Sequence, residues 1–483
     1  MQLHGVIQPT NQTDQTEMKT SLKKIAAAAI LASISMATVA GQGTIQEAAR
    51  AAVTSSPEVI SKLQAFSAAR LDVGIAKAGW LPRIDLLADV GRNTDDFGSS
   101  KRSLSSSSVS LSVTQLLWDG LATRSEVSRL GHASLVRYFE LLQARDSVAL
   151  EAIRAGIDVA RQRELVRLAT ENLNDHQALH DKVVGRVTQG VARGVEQDQA
   201  AGRLALAKAN LATETSNLHD VTERYIRIVG ETPPANMDMA ELDVAMSAGL
   251  PASDEAAINN AVLLNPAIAA SIENLRALQD QGNARRALAY QPRIELQGRA
   301  DTGRNIGSTQ DLSRAAHVGL TVRWNLFAGG ADQARVQQAA KLITQAASLR
   351  DKSCRDVRQT AAIAHQDISK LGQQIELTGL HAASAASVLR VYQQQFDIAQ
   401  PGRSLLDVLN AQNEQYSAVR ANMLARYDQV LAKARTHAAQ GSLIPALGMS
   451  RTSEDTPAEV NNWNAGEDAP TRCPLAPTEI VKR

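Results

Sequence analysis

Aromatic residues make up only 3% of the 483-residue chain, which argues against a thick core stacked on Phe and Tyr. There are 29 Gly and 14 Pro, too little punctuation for an all-β protein of this length. Charge of either sign is not in excess. Lys plus Arg number 51, Asp plus Glu number 50, and the net charge is +1, so bulk nucleic-acid binding has no electrostatic basis. Two cysteines, Cys354 and Cys473, exclude a disulfide framework, and nothing in the sequence pairs them. What is abundant is small and apolar. Hydrophobic residues are 44% and charged residues 21%, a composition suited to long, closely packed helices and not to a disordered chain.

The N-terminus reads as an address. Lys19, Lys23 and Lys24 precede an apolar run from Ile25 to Ala40 that ends in small residues. This is the pattern of a secretory signal peptide, assigned to residues 1–40. Met18 is an alternative start, because the residues before it are polar. The run is shorter than the ~20 residues that span a bilayer as a helix. No cysteine follows the cut for a lipid anchor, and no later stretch has spanning length. If the exported chain crosses a membrane, it does so with strands.

The rest is written twice. Ser56-Pro57-Glu58-Val59 matches Asn265-Pro266-Ala267-Ile268, and Pro82-Arg83-Ile84-Asp85-Leu86 matches Pro292-Arg293-Ile294-Glu295-Leu296. Leu117-Trp118-Asp119-Gly120 matches Leu326-Phe327-Ala328-Gly329, and Asp198 matches Asp407. All four lie about 209 residues apart, in order, which marks a tandem duplication. The first repeat covers 41–230, a linker 231–253, the second repeat 254–448, and a polar tail, expected to be disordered, 449–483.

In each repeat a helical period gives way to a period of two. Strands are expected over about 82–95, 104–118, 292–305 and 313–327. Ile84, Leu86, Ala88 and Val90 oppose Arg83, Asp85 and Asp89. Val109, Leu111 and Val113 alternate with serines. Ile294, Leu296 and Ala300 oppose Arg293, Glu295, Arg299 and Asp301, and Val318, Leu320, Val322 and Trp324 oppose His317, Thr321 and Arg323. One apolar and one charged face fits a membrane barrel around a wet lumen. Trp80, Trp118, Tyr290 and Phe327 bracket the strands at one end, as an interfacial girdle requires. Four strands cannot close a barrel, since the smallest common ones have about eight, so copies must associate.

The remaining segments are long helices. Asp119 to Gly190 and Gly329 to Ala399 contain no proline, and each would extend roughly 105 Å at ~1.5 Å per residue. Val357, Ala361, Ala364, Ile368, Leu371 and Ile375 are spaced as a coiled-coil seam. Leu204, Ala207, Leu211, Leu218, Val221, Tyr225 and Ile228 continue a similar register, with Glu214 as a gap. No phosphate-binding loop and no catalytic constellation is present. His176 and His180 are spaced as metal ligands can be, but no third ligand lies near, so they read as a solvated helix face.

With these elements in place, the chain resembles the TolC family of outer membrane channels over residues 44–441. The segment Pro401-Gly402-Arg403-Ser404-Leu405-Leu406-Asp407-Val408-Leu409-Asn410-Ala411-Gln412-Asn413-Glu414 resembles the start of the last long helix in the type I secretion branch. Gly190 to Arg203, with Asp198, resembles its counterpart in the first half. The resemblance implies a mixed α and β membrane protein: a homotrimer whose twelve-stranded barrel lies in the outer membrane of a Gram-negative bacterium and continues as a periplasmic α-barrel. It implies a passive exit duct for type I protein secretion or efflux, working with a periplasmic adaptor and an inner-membrane ABC or proton-driven transporter. It implies no enzymatic activity, cofactor, metal or nucleic acid. Multidrug efflux is the alternative role, and a periplasmic coiled-coil scaffold the alternative class. The periplasmic gate would comprise Arg403 as the basic member of a lock, Asp198 as a carboxylate partner, and Asp407 as an acidic ring. Asn410 stands where some members carry a second aspartate, and Ile398 where some carry a lock tyrosine, which implies a differently tuned closure.

Overall fold

The computed structural model describes residues 44–449 except 97, 99–100, 238, 307–310 and 399–403, together with 456–457, 460 and 463. The signal segment, Arg403 and Cys473 lie outside the described residues.

Each repeat opens with two helices broken at a proline. In the first they are α1 (Ile45–Ser55) and α2 (Pro57–Lys77); in the second they are α6 (Asp254–Leu264) and α7 (Pro266–Tyr290). Pro57 and Pro266 each sit at the first turn of the following helix, where the missing N–H costs nothing. The hairpins are β1 (Arg83–Asp96) with β2 (Lys101–Trp118), and β3 (Arg293–Arg304) with β4 (Leu312–Arg323). Long helices follow: α3 (Ala122–Thr188) and α4 (Gly194–Val229), then α8 (Ala331–Asp397) and α9 (Leu405–Gln440). α3 and α8 have 67 residues each, and α4 and α9 have 36 each. The duplication is therefore structural as well as textual. The linker between repeats carries a helix, α5 (Met239–Ser247), and α10 (Leu443–Ala446) follows α9.

The four strands form one antiparallel sheet in the order β1-β2-β3-β4, so the two repeats meet at β2–β3. Ile84, Val113, Gly298 and Val318 stand in one cross-strand row, and Leu86, Leu111, Ala300 and Ala316 in the next. In these rows the face is apolar and bare, with Ile84 65% and Val318 77% exposed in the single chain, while Arg304 and Arg314 stand on it farther along the strands. The opposite face holds Asp85, Ser112, Arg299 and His317 in one row, broken elsewhere chiefly by Leu87, Leu104 and Leu116. Along it, arginine and carboxylate alternate two residues apart as ion pairs: Arg83 to Asp85 at 2.8 Å, Arg293 to Glu295 at 2.6 Å and Arg299 to Asp301 at 2.7 Å. β4 ends at Arg323, four residues short of the expected Phe327, and Trp324 lies beyond the strand. Asn325 donates to Asp332 of α8 at 3.0 Å, which draws this segment into the turn that opens the helix.

The strand-to-helix turn is sharp. Gly120 has φ +69°, and a Cβ there would stand 2.4 Å from Gln291 Cβ. Asp119 then accepts from the Thr123 N–H at 2.8 Å, holding the first turn of α3. α3 is long because it serves two sets of neighbours. Near its start it meets α2 through Lys62 and Glu140 and α7 through His132 and Glu273. Farther on it pairs with α4, where the Gln162 amide donates to buried Glu214. Arg420 of α9 also bonds Glu214 at 2.9 Å, so the gap in the α4 seam is a satisfied polar junction between repeats. α8 and α9 pair through Gln429 to the Ile368 carbonyl and Asn422 to the Ile375 carbonyl.

The short helices gather around the middle of the long ones. Ile45 of α1 packs on Gly156 of α3, where a Cβ would meet it at 2.9 Å. Lys433 of α9 pairs with Asp243 of α5 at 2.6 Å. The tail also contributes: Val460 and Trp463 pack on Phe66, Leu135, Tyr138, Phe139 and Leu142. The expectation of a disordered tail therefore fails at these two residues, because an aromatic side chain found an apolar groove.

Candidate functional site

α3 is followed by α4 and α8 by α9, and the described gate residues Asp198, Asp407, Asn410 and Ile398 lie at or near the helix ends beside these connections. α9 starts with a capping box: Ser404 Oγ accepts from the Asp407 N–H at 3.3 Å, and Asp407 Oδ2 accepts from the Ser404 N–H at 3.0 Å. Asp407 is half-buried, and its carboxylate also organises the first turn of its own helix. Asp198 lies in the opening turns of α4 and is exposed. Asn410 is exposed, and its amide oxygen accepts from Arg203 of α4 at 3.4 Å. Ile398 caps the end of α8 with its side chain 74% exposed. Arg403 is outside the described residues.

Other side chains join the hairpins, and sequence reading did not single them out. Lys182 of α3 forms an ion pair with Asp397 of α8. Arg186 stacks over the Phe396 ring at 4.6 Å and donates to the Phe396 carbonyl at 3.2 Å. Phe396 itself sits in an apolar cluster with Leu179, Val183, Ala200, Leu405, Val408 and Leu409, drawn from all four helices. These pairs link one repeat to the other, so no local spacing could reveal them. The separation of the partners by about one repeat length was the only available signal.

His176 departs from expectation. It is buried, not on a solvated face, and both burial and the Arg203 charge push its pKa down. No group of three or more His, Cys, Asp or Glu among the described residues could hold a metal ion.

At the other end of the molecule, Trp80, Trp118, Tyr290 and Phe327 flank the helix-proximal end of the sheet, all exposed. Gln115 donates to the Trp80 carbonyl at 2.8 Å and fixes the entry to β1. No described helix is long and apolar enough to cross a membrane.

Comparison with known proteins agrees with this geometry. The family model described as "Outer membrane efflux protein" matches residues 48–231. The chain is 25% identical over 421 residues to the outer membrane efflux protein BepC of Brucella suis, covering 85% of this chain and 88% of that protein. The chain is thus similar to the outer membrane efflux protein family over residues 48–231 and to BepC over most of its length. Solved structures share its fold. The Campylobacter jejuni CmeC outer membrane channel superposes with a TM-score of 0.73 at 14% identity, over 89% of this chain and 90% of that one. The open-state MtrE outer membrane channel of Neisseria gonorrhoeae gives 0.70 at 18% identity, over 83% and 90%. These relatives are described as outer membrane efflux proteins and outer membrane channels. The shared fold is a four-stranded antiparallel sheet continued by long paired helices.

Proposed function

We propose that three copies assemble into a closed twelve-stranded barrel and act as a passive exit duct. The duct would be gated at the hairpin tips and fed by an inner-membrane transporter through a periplasmic adaptor. The observation that carries this reading is the sheet. It has an apolar outer face, an ion-paired inner face, and a free edge on β1 and on β4 among the described residues. Such edges are not tolerated in lipid, so copies must pair them. Trp80, Trp118, Tyr290 and Phe327 would then sit as a belt at the inner membrane–water boundary. At the tips, Asp407 would form an acidic ring near the threefold axis, with Asp198 and Arg403 as lock partners and Asn410 and Ile398 modifying the closure.

The segment Arg403 to Glu414 supports type I protein secretion as the first role. The efflux name carried by the family and by BepC supports small-molecule efflux as the second.

Planar-bilayer conductance of the purified assembly tests the duct. Wild-type protein should show a small, cation-preferring conductance. Arg403→Ser should raise it several-fold. Asp407→Asn should weaken cation preference while leaving an amide oxygen to cap Ser404, so that loss of charge is separated from loss of the helix start. Properly assembled protein without any conductance would reject the duct and return the scaffold reading. Unchanged selectivity in Asp407→Asn would remove Asp407 from the gate.

A further inference from the structure

The arginines of the sheet are sorted by face. On the charged face Arg83 pairs with Asp85, Arg293 and Arg323 with Glu295, and Arg299 with Asp301. On the opposite face Arg92, Arg304 and Arg314 are exposed, and none has a carboxylate partner among the described residues. Side-chain contacts agree with this sorting. Arg92 donates to Ser103 Oγ at 2.8 Å, and Ser103 shares the parity of Val109 and Leu111 on β2. Of the paired strand residues, Asp96 is the one carboxylate with the register parity of these arginines, and it stands opposite Lys101.

Register also fixes how the three lie. Thr302 faces Arg314 and Arg304 faces Leu312, so Arg304 and Arg314 are diagonal neighbours on β3 and β4. Cα atoms so placed are about 7–8 Å apart, close enough for two guanidinium groups to share one phosphate. Arg92 on β1 lies one row farther toward the hairpin turns, since Val90, Ser107 and Arg304 form a single row. Ser107 and Thr302 present exposed hydroxyls in the rows of Arg304 and Arg314.

Depth completes the argument. Arg304 is ten residues beyond Ile294 on the same face. That is roughly 34 Å along the strand, or about 25 Å of height at a tilt of about 40°, which matches the height of a lipid-facing apolar band. The arginines therefore stand at the rim of the band farther from the helices. Arginine is disfavoured at the middle of a bilayer and tolerated at its rim, where the long side chain reaches the headgroups.

We propose that Arg304 and Arg314, with Arg92 beside them, form a binding site for the phosphate groups of an anionic lipid in the outer leaflet. The inference rests on the reading of the sheet as a share of a membrane barrel. Lipid phosphate supplies the negative charge that the arginines of the other face find in Asp and Glu, and the guanidinium fork matches its oxygens. A lipid held there lies across β2–β3, the seam where the two repeats meet.

The test titrates the full assembly in detergent with lipid A carrying two phosphates and counts bound copies by native mass spectrometry. Wild-type protein should keep this lipid under activation that strips phosphatidylethanolamine. It should bind lipid A without phosphates far more weakly, a comparison that needs no variant. Arg304→Gln combined with Arg314→Gln should weaken binding of the phosphorylated lipid roughly 30-fold, and lysine at both positions should recover most of it. Arg299→Gln combined with Asp301→Asn, on the charged face, should bind as wild type does. Equal binding of the two forms of lipid A, or equal binding by wild type and the glutamine variant, would overturn the proposal. Complete displacement by inorganic phosphate would overturn it too, by showing a site for the free anion. Quenching of tryptophan fluorescence by brominated phospholipid in vesicles keeps the two readings apart. Quenching without a phosphate preference rejects the arginine site alone, whereas no quenching rejects the barrel and the site with it.

Discussion

Individual residues show where polar chemistry was placed inside an apolar packing scheme. Burial pushes the Glu273 carboxyl up, but hydrogen bonds from His132 and Trp463, with the Arg276 charge, hold it below the ordinary glutamate value. A depressed carboxyl contributes stability that is present above its unfolded pKa of 4.5 and is lost as pH falls through the folded value. Burial pushes His437 down, against the opposing bond to the Met246 carbonyl. A buried neutral histidine contributes in the same sense from a higher starting point: the unfolded chain binds a proton below pH 6.5 that the native one refuses. The assembly should therefore lose heat stability in two stages on acidification. His437→Gln should flatten the first stage, between pH 6.5 and the lowered native value, by at most about 1.4 kcal/mol per pH unit. Trp463→Phe should move the second stage upward by removing one donor to Glu273. Dissociation temperature followed against pH reads both, and identical profiles would reject these assignments. Neither site was legible in the sequence. Glu214 looked like a gap in a seam and Trp463 like part of a loose tail, because the groups that satisfy them come from distant segments.

Elements were far more legible, because their periods are local. Alternation in Arg83–Val90 and Val318–Arg323 reports a two-faced strand, and the proline-free runs report the two 67-residue helices. The errors fall at ends, where a turn competes with a pattern. β4 stops at Arg323 although alternation continues to Trp324, because Asn325 is tied to α8. Gly120 should be intolerant of substitution. Gly120→Ala adds the roughly 1–2 kcal/mol cost of a left-handed conformation and a clash with Gln291, and should lower the dissociation temperature sharply. An unaffected Gly120→Ala variant would contradict the tight strand-to-helix turn. At the hairpin tips, Phe396→Ala should cost about 3–5 kcal/mol of local packing and raise conductance. Lys182→Ala breaks a pair that is half exposed on both sides, worth about 0.2–1 kcal/mol, and its effect should vanish in high salt. Equal effects of the two substitutions would show that packing does not hold the tips.

For the whole molecule, the duplication explains most of the architecture. Two copies of one helix–hairpin–helix plan meet at β2–β3 in the sheet and along α3, α4, α8 and α9 below it. That plan was readable because repeats preserve spacing even where residues diverge. The fastening between repeats was not readable, since the Arg186–Phe396, Glu214–Arg420 and Trp463–Glu273 contacts join residues that no single window contains. What one chain leaves unsatisfied is equally informative. Its apolar sheet face is bare, and β1 and β4 each present an edge among the described residues. The central claim is that other copies close these edges. Native mass spectrometry of the detergent-extracted protein measures this directly. The account predicts a single species with three times the mass of the mature chain; a stable monomer that remains inserted in the membrane would contradict it.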